Sequence, residues 1–235
     1  MRRIMFLLLA LAAMAAFVAL GFWQLGRARW KEEYLATHAA ALAAAPVPLE
    51  AALDAGADPA GALRVFGRGH FEHDATVFLD NQVQEGKTGV MVLTLFRPRG
   101  AAPPVLVNRG FIPLGPERVA PTLATTPTAE VRIEGLLVRR SLPGLKLGNA
   151  VFERGRPAPL LAYIDLDQLR AGMDARLYDG VVQLDPASPY GFAREWRALP
   201  NTLPPQRHRG YAVQWFGLAV ATLAIALVLG FRRRP

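Results

Sequence analysis

The sequence predicts a membrane-bound protein with one spanning helix at each end and, between them, a mainly antiparallel β domain, barrel-like or sandwich, with short helices. Three observations predict it. Residues 4–25 and 211–231 contain no charged side chain, and about twenty apolar residues at 1.5 Å rise cross a hydrocarbon core of roughly 30 Å. Between them, from about residue 63, apolar residues recur with a period near two. Finally, 52% of the 235 residues are hydrophobic and the mean hydropathy is +0.19, high for a soluble domain and low for a polytopic transporter.

The first helix covers residues 4–25, behind the short positive tail of Arg2 and Arg3. A cleaved leader would also begin this way, with Ala13-Met14-Ala15 as a small-x-small site, but the apolar run continues some ten residues beyond it. An uncleaved anchor is therefore expected. Residues 31–45 have helical character and continue the span until Pro46 and Pro48 stop it. Residues 26–203 form the central domain, with strands expected at 63–71, 76–81, 88–96, 105–108, 131–138, 161–165 and 181–185. Gly, Pro, Asn and Asp separate these runs. Weaker helical patterns cover 49–55 and 166–173, and Pro/Gly-rich loops cover 114–128 and 142–159.

The second helix is expected over 204–231, with its membrane core at 211–231 and a tail at 232–235. Pro204 and Pro205 suit a first turn, where a missing N–H costs little, and His208 then falls in the second turn. Arginines flank both outer ends, while long central segments translocate largely regardless of their charge. Both termini are thus expected in the cytoplasm and the central domain outside, in the periplasm.

The formal charge of +8 does not imply a nucleic-acid partner. Arg2, Arg3 and Arg232 to Arg234 supply five of the 27 cations, leaving 22 against 19 anions between the spans. There is no cysteine, hence no disulfide, thiolate metal site or Cys nucleophile. Neither phosphate-binding glycine fingerprint is present, and Ser141 and Ser188, the two serines, lie outside a nucleophile elbow. His70 and His73 are three apart in a strand pattern, so they point to opposite faces and do not converge on a metal. Asp80, Asp165, Asp167 and Asp185 stand at strand ends, where turn formation accounts for them. No catalytic constellation results, and the protein is not expected to be an enzyme.

At about 100° per residue His208, Tyr211 and Trp215 project within a sector of about 60°. Gly210, Gly217, Ala221 and Ala224 form a small-residue ridge on the other side, suited to packing against the first span. Two accounts fit the histidine face. It is an interfacial aromatic belt, or it holds His208 as an axial metal ligand, with aromatic walls and Arg207 or Arg209 facing carboxylates of a haem. Trp23, at the end of the first span and at similar depth to Trp215, joins either arrangement.

Four stretches carry a resemblance. They are Gly21-Phe22-Trp23-Gln24-Leu25 with Arg27 and Lys31; Leu79-Asp80-Asn81 with Gly89 and Val92-Leu93-Thr94; Val105 to Pro113, containing Asn108-Arg109-Gly110; and His208, Tyr211 and Trp215 to Ala219 with Gly217. In order and spacing the chain resembles the Surfeit locus protein one family over nearly its full length. It departs at Phe111, where tryptophan is usual, at Gln206, where asparagine is, and at Leu95, where proline is.

The resemblance implies a two-span inner-membrane assembly factor for haem-copper terminal oxidases, chiefly of the cytochrome c oxidase type. Its cofactor would be haem a, ligated by His208 and delivered to the oxidase catalytic subunit, with the haem a synthesis machinery as a further candidate partner. Trp23, Arg207, Arg209, Tyr211 and Trp215 would line the site. Gly21, Gln24, Asn108, Arg109, Gly110 and Gly217 are the structural motif residues; Asn108-Arg109-Gly110 is expected to have a structural role that also shapes the membrane-facing surface, the alternative being that Gly110 only serves a turn after a buried strand, with Arg109 paired to a carboxylate. The competing expectations are a cofactor-free scaffold that holds an oxidase subunit, and a tethered periplasmic enzyme.

Overall fold

A computed structural model describes residues 2–56, 62–123, 129–139, 152–153, 157–174, 176–194 and 203–231. The expected tail at 232–235, Ser141, and parts of the loops at 114–128 and 142–159 lie outside the described residues. The chain divides into two compact units, residues 1–36 with 198–235, and residues 37–197.

The first unit contains most of α1 (Arg2–Ala43) and all of α4 (Pro205–Phe231). Both helices are long and apolar enough to cross a membrane. The helical pattern at 31–45 is a direct continuation of the first span, since nothing before Pro46 removes a backbone donor. Helix α4 opens on Pro205 rather than Pro204; the Arg207 N–H reaches the Pro204 carbonyl at 3.0 Å, which leaves Pro204 as the cap. His208 consequently sits in the first turn, not the second.

The second unit begins with β1 (Val47–Pro48) and α2 (Leu49–Asp54), followed by β2 (Leu63–Gln84), β3 (Lys87–Pro98), β4 (Val105–Pro113) and β5 (Val131–Arg139). It closes with β6 (Leu160–Leu161), α3 (Leu166–Gly172) and β7 (Gly180–Leu184). Strand β2 pairs antiparallel with β3, β3 with β4, β5 with β7 and β5 with β2, while β4 and β7 pair in parallel. The hydrogen-bonded path thus returns to β2. The short strands β1 and β6 add parallel contacts to β2, so the sheet is mixed rather than purely antiparallel.

The circuit depends on the length of β2. Residues 63–69 pair with β5 and residues 69–84 with β3, so that Gly69 faces both Val131 and Pro98. A Cβ on Gly69 would lie 2.1 Å from the Arg97 carbonyl oxygen, so the two ladders meet there only because the position carries no side chain. The expected break between 71 and 76 is a register shift inside one strand: His73 and Asp74 are exposed on it, while Ala75, Thr76, Val77 and Phe78 are all buried. The strand expected at 161–165 is only Leu160–Leu161, because Asp165 caps α3, its carboxylate accepting from Asp167 N and Gln168 N.

Two apolar clusters cover opposite faces of the same strands. One joins Leu93, Leu95, Leu106, Leu136 and Val181 to Leu166 and Leu169 of α3; the other joins Phe96, Val105, Val107, Leu137 and Val182 to Leu49 and Leu53 of α2. Burial on both faces explains the unbroken apolar run Val105-Leu106-Val107.

Strand β4 continues through Asn108-Arg109-Gly110, where a turn was expected. Gly110 has φ +113° beside a register shift opposite Val92 and Leu93, and its N–H donates to Asn108 Oδ1 at 3.0 Å. Arg109 is 2% exposed. Its Nε donates to the Tyr190 carbonyl at 2.8 Å, and its guanidinium lies 5.1 and 5.3 Å from the Phe71 and Phe192 ring centroids. Among the described residues a peptide carbonyl and two rings thus contact it. Burial, with the Arg194 charge adding to it, pulls the guanidinium down to about 10. Phe192 N donates to the Arg109 carbonyl and Phe111 N to the Ala193 carbonyl, which ties residues 190–194 to β4.

Gly110→Ala should therefore lower the melting temperature of the full chain by about 4–10 °C, since the new Cβ would meet the Ala193 carbonyl oxygen at 2.8 Å in a backbone conformation L residues avoid. Gly115→Ala, with open space around it, should melt within about 2 °C of wild type. Equal melting of both variants by circular dichroism would sink this account.

A second expectation concerns acid. Burial alone would raise the Asp174 carboxyl, but the Arg176 N–H and Arg97, whose Nη1 lies 3.1 Å away, hold it below the ordinary carboxylate value. Its contribution is present above the unfolded value near 3.8 and is lost as pH falls through the lower folded one. With Arg97 about a third exposed, the effect is modest, about 1 kcal/mol or less. Urea midpoints of wild type should fall more between pH 5 and 3 than those of Asp174→Asn; parallel curves would refute it.

Candidate functional site

Within the first unit α1 and α4 pack antiparallel through one stripe on each. Among the shielded positions, one stripe on α1 comprises Ala10, Met14, Phe17, Gly21, Gln24, Ala28 and Lys31, and one on α4 comprises Pro205, His208, Ala212, Trp215, Ala219 and Thr222. Both alternate steps of three and four, the spacing that keeps one face against a partner helix. Most of the stripe is apolar. Its polar members Gln24, Lys31 and His208 lie toward one end of the pair; Thr222, toward the other, donates its hydroxyl to the Leu218 carbonyl of its own helix.

His208 is 7% exposed. Its Nδ1 lies 2.6 Å from Gln24 Oε1. An amide oxygen only accepts, so with the oxygen facing the ring the proton resides on Nδ1 and the lone pair on Nε2. That Nε2 is buried and has no hydrogen-bond partner among the described residues. Leaving such a group unsatisfied costs about 1–3 kcal/mol. An imidazole whose Nδ1–H is held by a carbonyl-type oxygen, with Nε2 lacking a partner, has the arrangement of a metal-ligating histidine. Lys31, itself 4% exposed, donates its ammonium to the Leu203 carbonyl just before α4 begins. Lys31 and Arg27 impose a positive field on the ring.

The other expected residues separate. Trp215 is half-buried and stacks on Phe17 at 5.7 Å. Phe17 lies six positions before Trp23, so Trp215 is about 9 Å deeper along α1 than Trp23, not at the same depth. Trp23 and Tyr211 are exposed, at 56% and 38%. Arg209 forms an ion pair with Glu32 at 2.8 Å, while Arg207 is exposed on its own side of the helix. Asn108, Arg109 and Gly110 belong to the second unit and brace its loop.

The small-residue ridge does not meet the first span. Gly210 and Gly217 are exposed, and a Cβ on either would have nothing within 4 Å among the described residues. The helices approach instead at Gly21, where a Cβ would lie 2.5 Å from Phe216 Cε1, and Phe216 also meets Phe22 edge-on at 5.4 Å. The physical reason is that the histidine face itself contacts α1, because Gln24 supplies a polar partner there. Sequence reading overlooked Phe17, Lys31, Glu32 and Phe216 as members of the pair. The three-four stripe from Ala10 to Lys31 was the available signal, masked by apolar residues on the remaining faces.

Comparison with known proteins is consistent along the chain. A model of the SURF1 family matches residues 11–220. Surfeit locus protein 1 of Rattus norvegicus is 27% identical over 245 residues, spanning 94% of this chain and 74% of that protein. The SURF1-like protein of Monosiga brevicollis is 28% identical over 228 residues, 89% of this chain and 82% of its own length. Surfeit locus protein 1 of Gallus gallus is 27% identical over 239 residues, 91% of this chain and 71% of its own. The matched span includes nearly all of both packed helix stripes and the whole second unit, and the chain belongs to the SURF1 family.

Proposed function

We propose that this chain is a non-enzymatic, two-pass inner-membrane assembly factor for a haem-copper oxidase of the cytochrome c oxidase type, carrying haem a to the catalytic subunit. The observation that carries the reading is the His208 ring, with Nδ1 on Gln24 Oε1 and a buried Nε2 lacking a partner among the described residues. The residues fit the group: a neutral imidazole in an apolar helix seam is a suitable axial donor. Bound haem would supply an iron that accepts the Nε2 lone pair. Gln24 orients the ring and fixes its proton, Lys31 ties the start of α4 to α1, and the surrounding apolar side chains exclude water. The closed pairing circuit of the second unit supports a barrel-like domain.

Wild-type protein purified from cells that make haem a should carry it, with a Soret band that His208→Ala loses. Gln24→Leu should leave the β domain folded and weaken haem affinity about 10–100-fold, as loss of a ligand-orienting partner does. Haem-free wild type, or an undiminished His208→Ala, would favour the cofactor-free scaffold.

Orientation has its own check. Alkaline phosphatase inserted at the exposed Glu85-Gly86 turn between β2 and β3 should be active and a fusion after Pro235 silent; the reverse pattern would place the domain in the cytoplasm and remove the periplasmic reading.

A further inference from the structure

The two flanks of the helix pair are chemically unlike. In a helix the neighbours of a seam residue lie about 100° to either side of it. Glu32 follows Lys31 and meets Arg209, which follows His208; Phe22 follows Gly21 and meets Phe216, which follows Trp215. In both helices, then, the residues C-terminal to seam positions line one flank. That flank is closed by an ion pair and an edge-to-face aromatic contact.

The residues N-terminal to seam positions line the other. On α1 these are Trp23, Arg27 and Trp30, preceding Gln24, Ala28 and Lys31; on α4 they are Arg207 and Tyr211, preceding His208 and Ala212. Arg27 lies 4.7 Å over the Trp30 ring, an independent sign that these side chains share a surface. Trp23, Trp30 and Tyr211 are 56%, 41% and 38% exposed. No carboxylate occurs among these five, so both arginines bring net positive charge to a surface of three aromatic rings.

We propose that haem a reaches His208 across this open flank, its macrocycle against the aromatic rings and its propionates on Arg27 and Arg207. The inference rests on the haem-carrier reading and adds a side to it. Because Nε2 is covered, ligation requires neighbouring side chains to move. On the closed flank that would break the Glu32–Arg209 pair and the Phe22–Phe216 contact. On the open flank it needs rotamer changes of exposed rings and a loosening of the Arg27–Trp30 and Trp30–Tyr34 contacts within α1, and it leaves both of those cross-helix contacts intact. A planar apolar ligand with two carboxylates complements aromatic faces and guanidinium forks, which bind carboxylates in bidentate fashion.

The test uses the full chain in phosphatidylcholine nanodiscs, titrated with haem a and with its dimethyl ester while the Soret band is followed. Arg27→Gln and Arg207→Gln should each raise the haem a Kd about fivefold, the upper range for a partly exposed ion pair. Neither should change the Kd of the ester, and Arg29→Gln, on the other flank, should stay within about twofold for both ligands. An equal loss for Arg29→Gln, or an arginine effect that persists with the ester, overturns the proposal. So does an arginine effect seen only when phosphatidylglycerol is added, which would assign the flank to anionic lipid. If wild type shows no Soret shift, the haem reading itself fails. A shift that depends on His208 but not on Arg27 or Arg207 leaves that reading standing and defeats only the flank.

Discussion

One polar contact organises the helix pair. Gln24 and His208 are separated by 184 positions in the chain and joined by a 2.6 Å hydrogen bond. In an apolar seam, sliding α4 by one turn would leave both groups facing hydrocarbon, each at a cost of about 1–3 kcal/mol. Apolar contacts such as Phe17 on Trp215 tolerate small displacements, because one aliphatic or aromatic neighbour resembles the next. A polar pair does not, and it therefore fixes register in the way a single buried amide fixes a coiled coil. The same bond sets the proton on Nδ1 and so defines the chemistry available at Nε2. Register and reactivity in this pair are one feature.

The β domain has a comparable dependence on a few obligatory positions. Strand β2 serves two ladders because Gly69 permits the close approach of Arg97, and β4 runs on through Gly110, whose lack of a side chain admits residues 190–194. Arg109 holds that loop from a nearly dry site, at a burial cost that lowers its guanidinium to about 10. Among the described residues the Tyr190 carbonyl and two aromatic faces contribute to its stabilisation. Replacing it by a smaller apolar residue would remove the burial cost and also the strut.

Much of this was legible. The short helices at Leu49–Asp54 and Leu166–Gly172 and the runs 88–96, 105–108 and 131–138 carried their signal locally, in apolar spacing and caps. What failed was information held between segments. The joining of two runs into β2 needs the partner strand that carries the chain across the polar residues His73 and Asp74. The packing face of α4 was misassigned because small residues on a membrane helix mark an interface by default, whereas the partner here is chosen by Gln24. For the same reason Trp23 and Trp215 looked level: depth follows from register, and register is set by the cross-helix bond.

That bond also bears on how a carrier could let go. A ligand held by a fully open histidine would be bound strongly only if the protein supplied further contacts. A histidine recessed in a helix seam instead makes ligand exchange compete with seam closure. On the proposed haem-carrier reading, the free energy recovered when side chains repack over His208 would be returned on release, so repacking would assist departure. Beside His208 the α4 face of the seam carries the small Ala212 and Ala219 as well as Trp215, which stays stacked on Phe17. Side-chain movement near His208 therefore does not require the helices to separate, and Gln24 remains beside the ring to keep its tautomer ready. In this arrangement the apolar packing that hides Nε2 and the amide that prepares it act in opposition, and on the proposed haem-carrier reading the balance between them would set how long the haem stays.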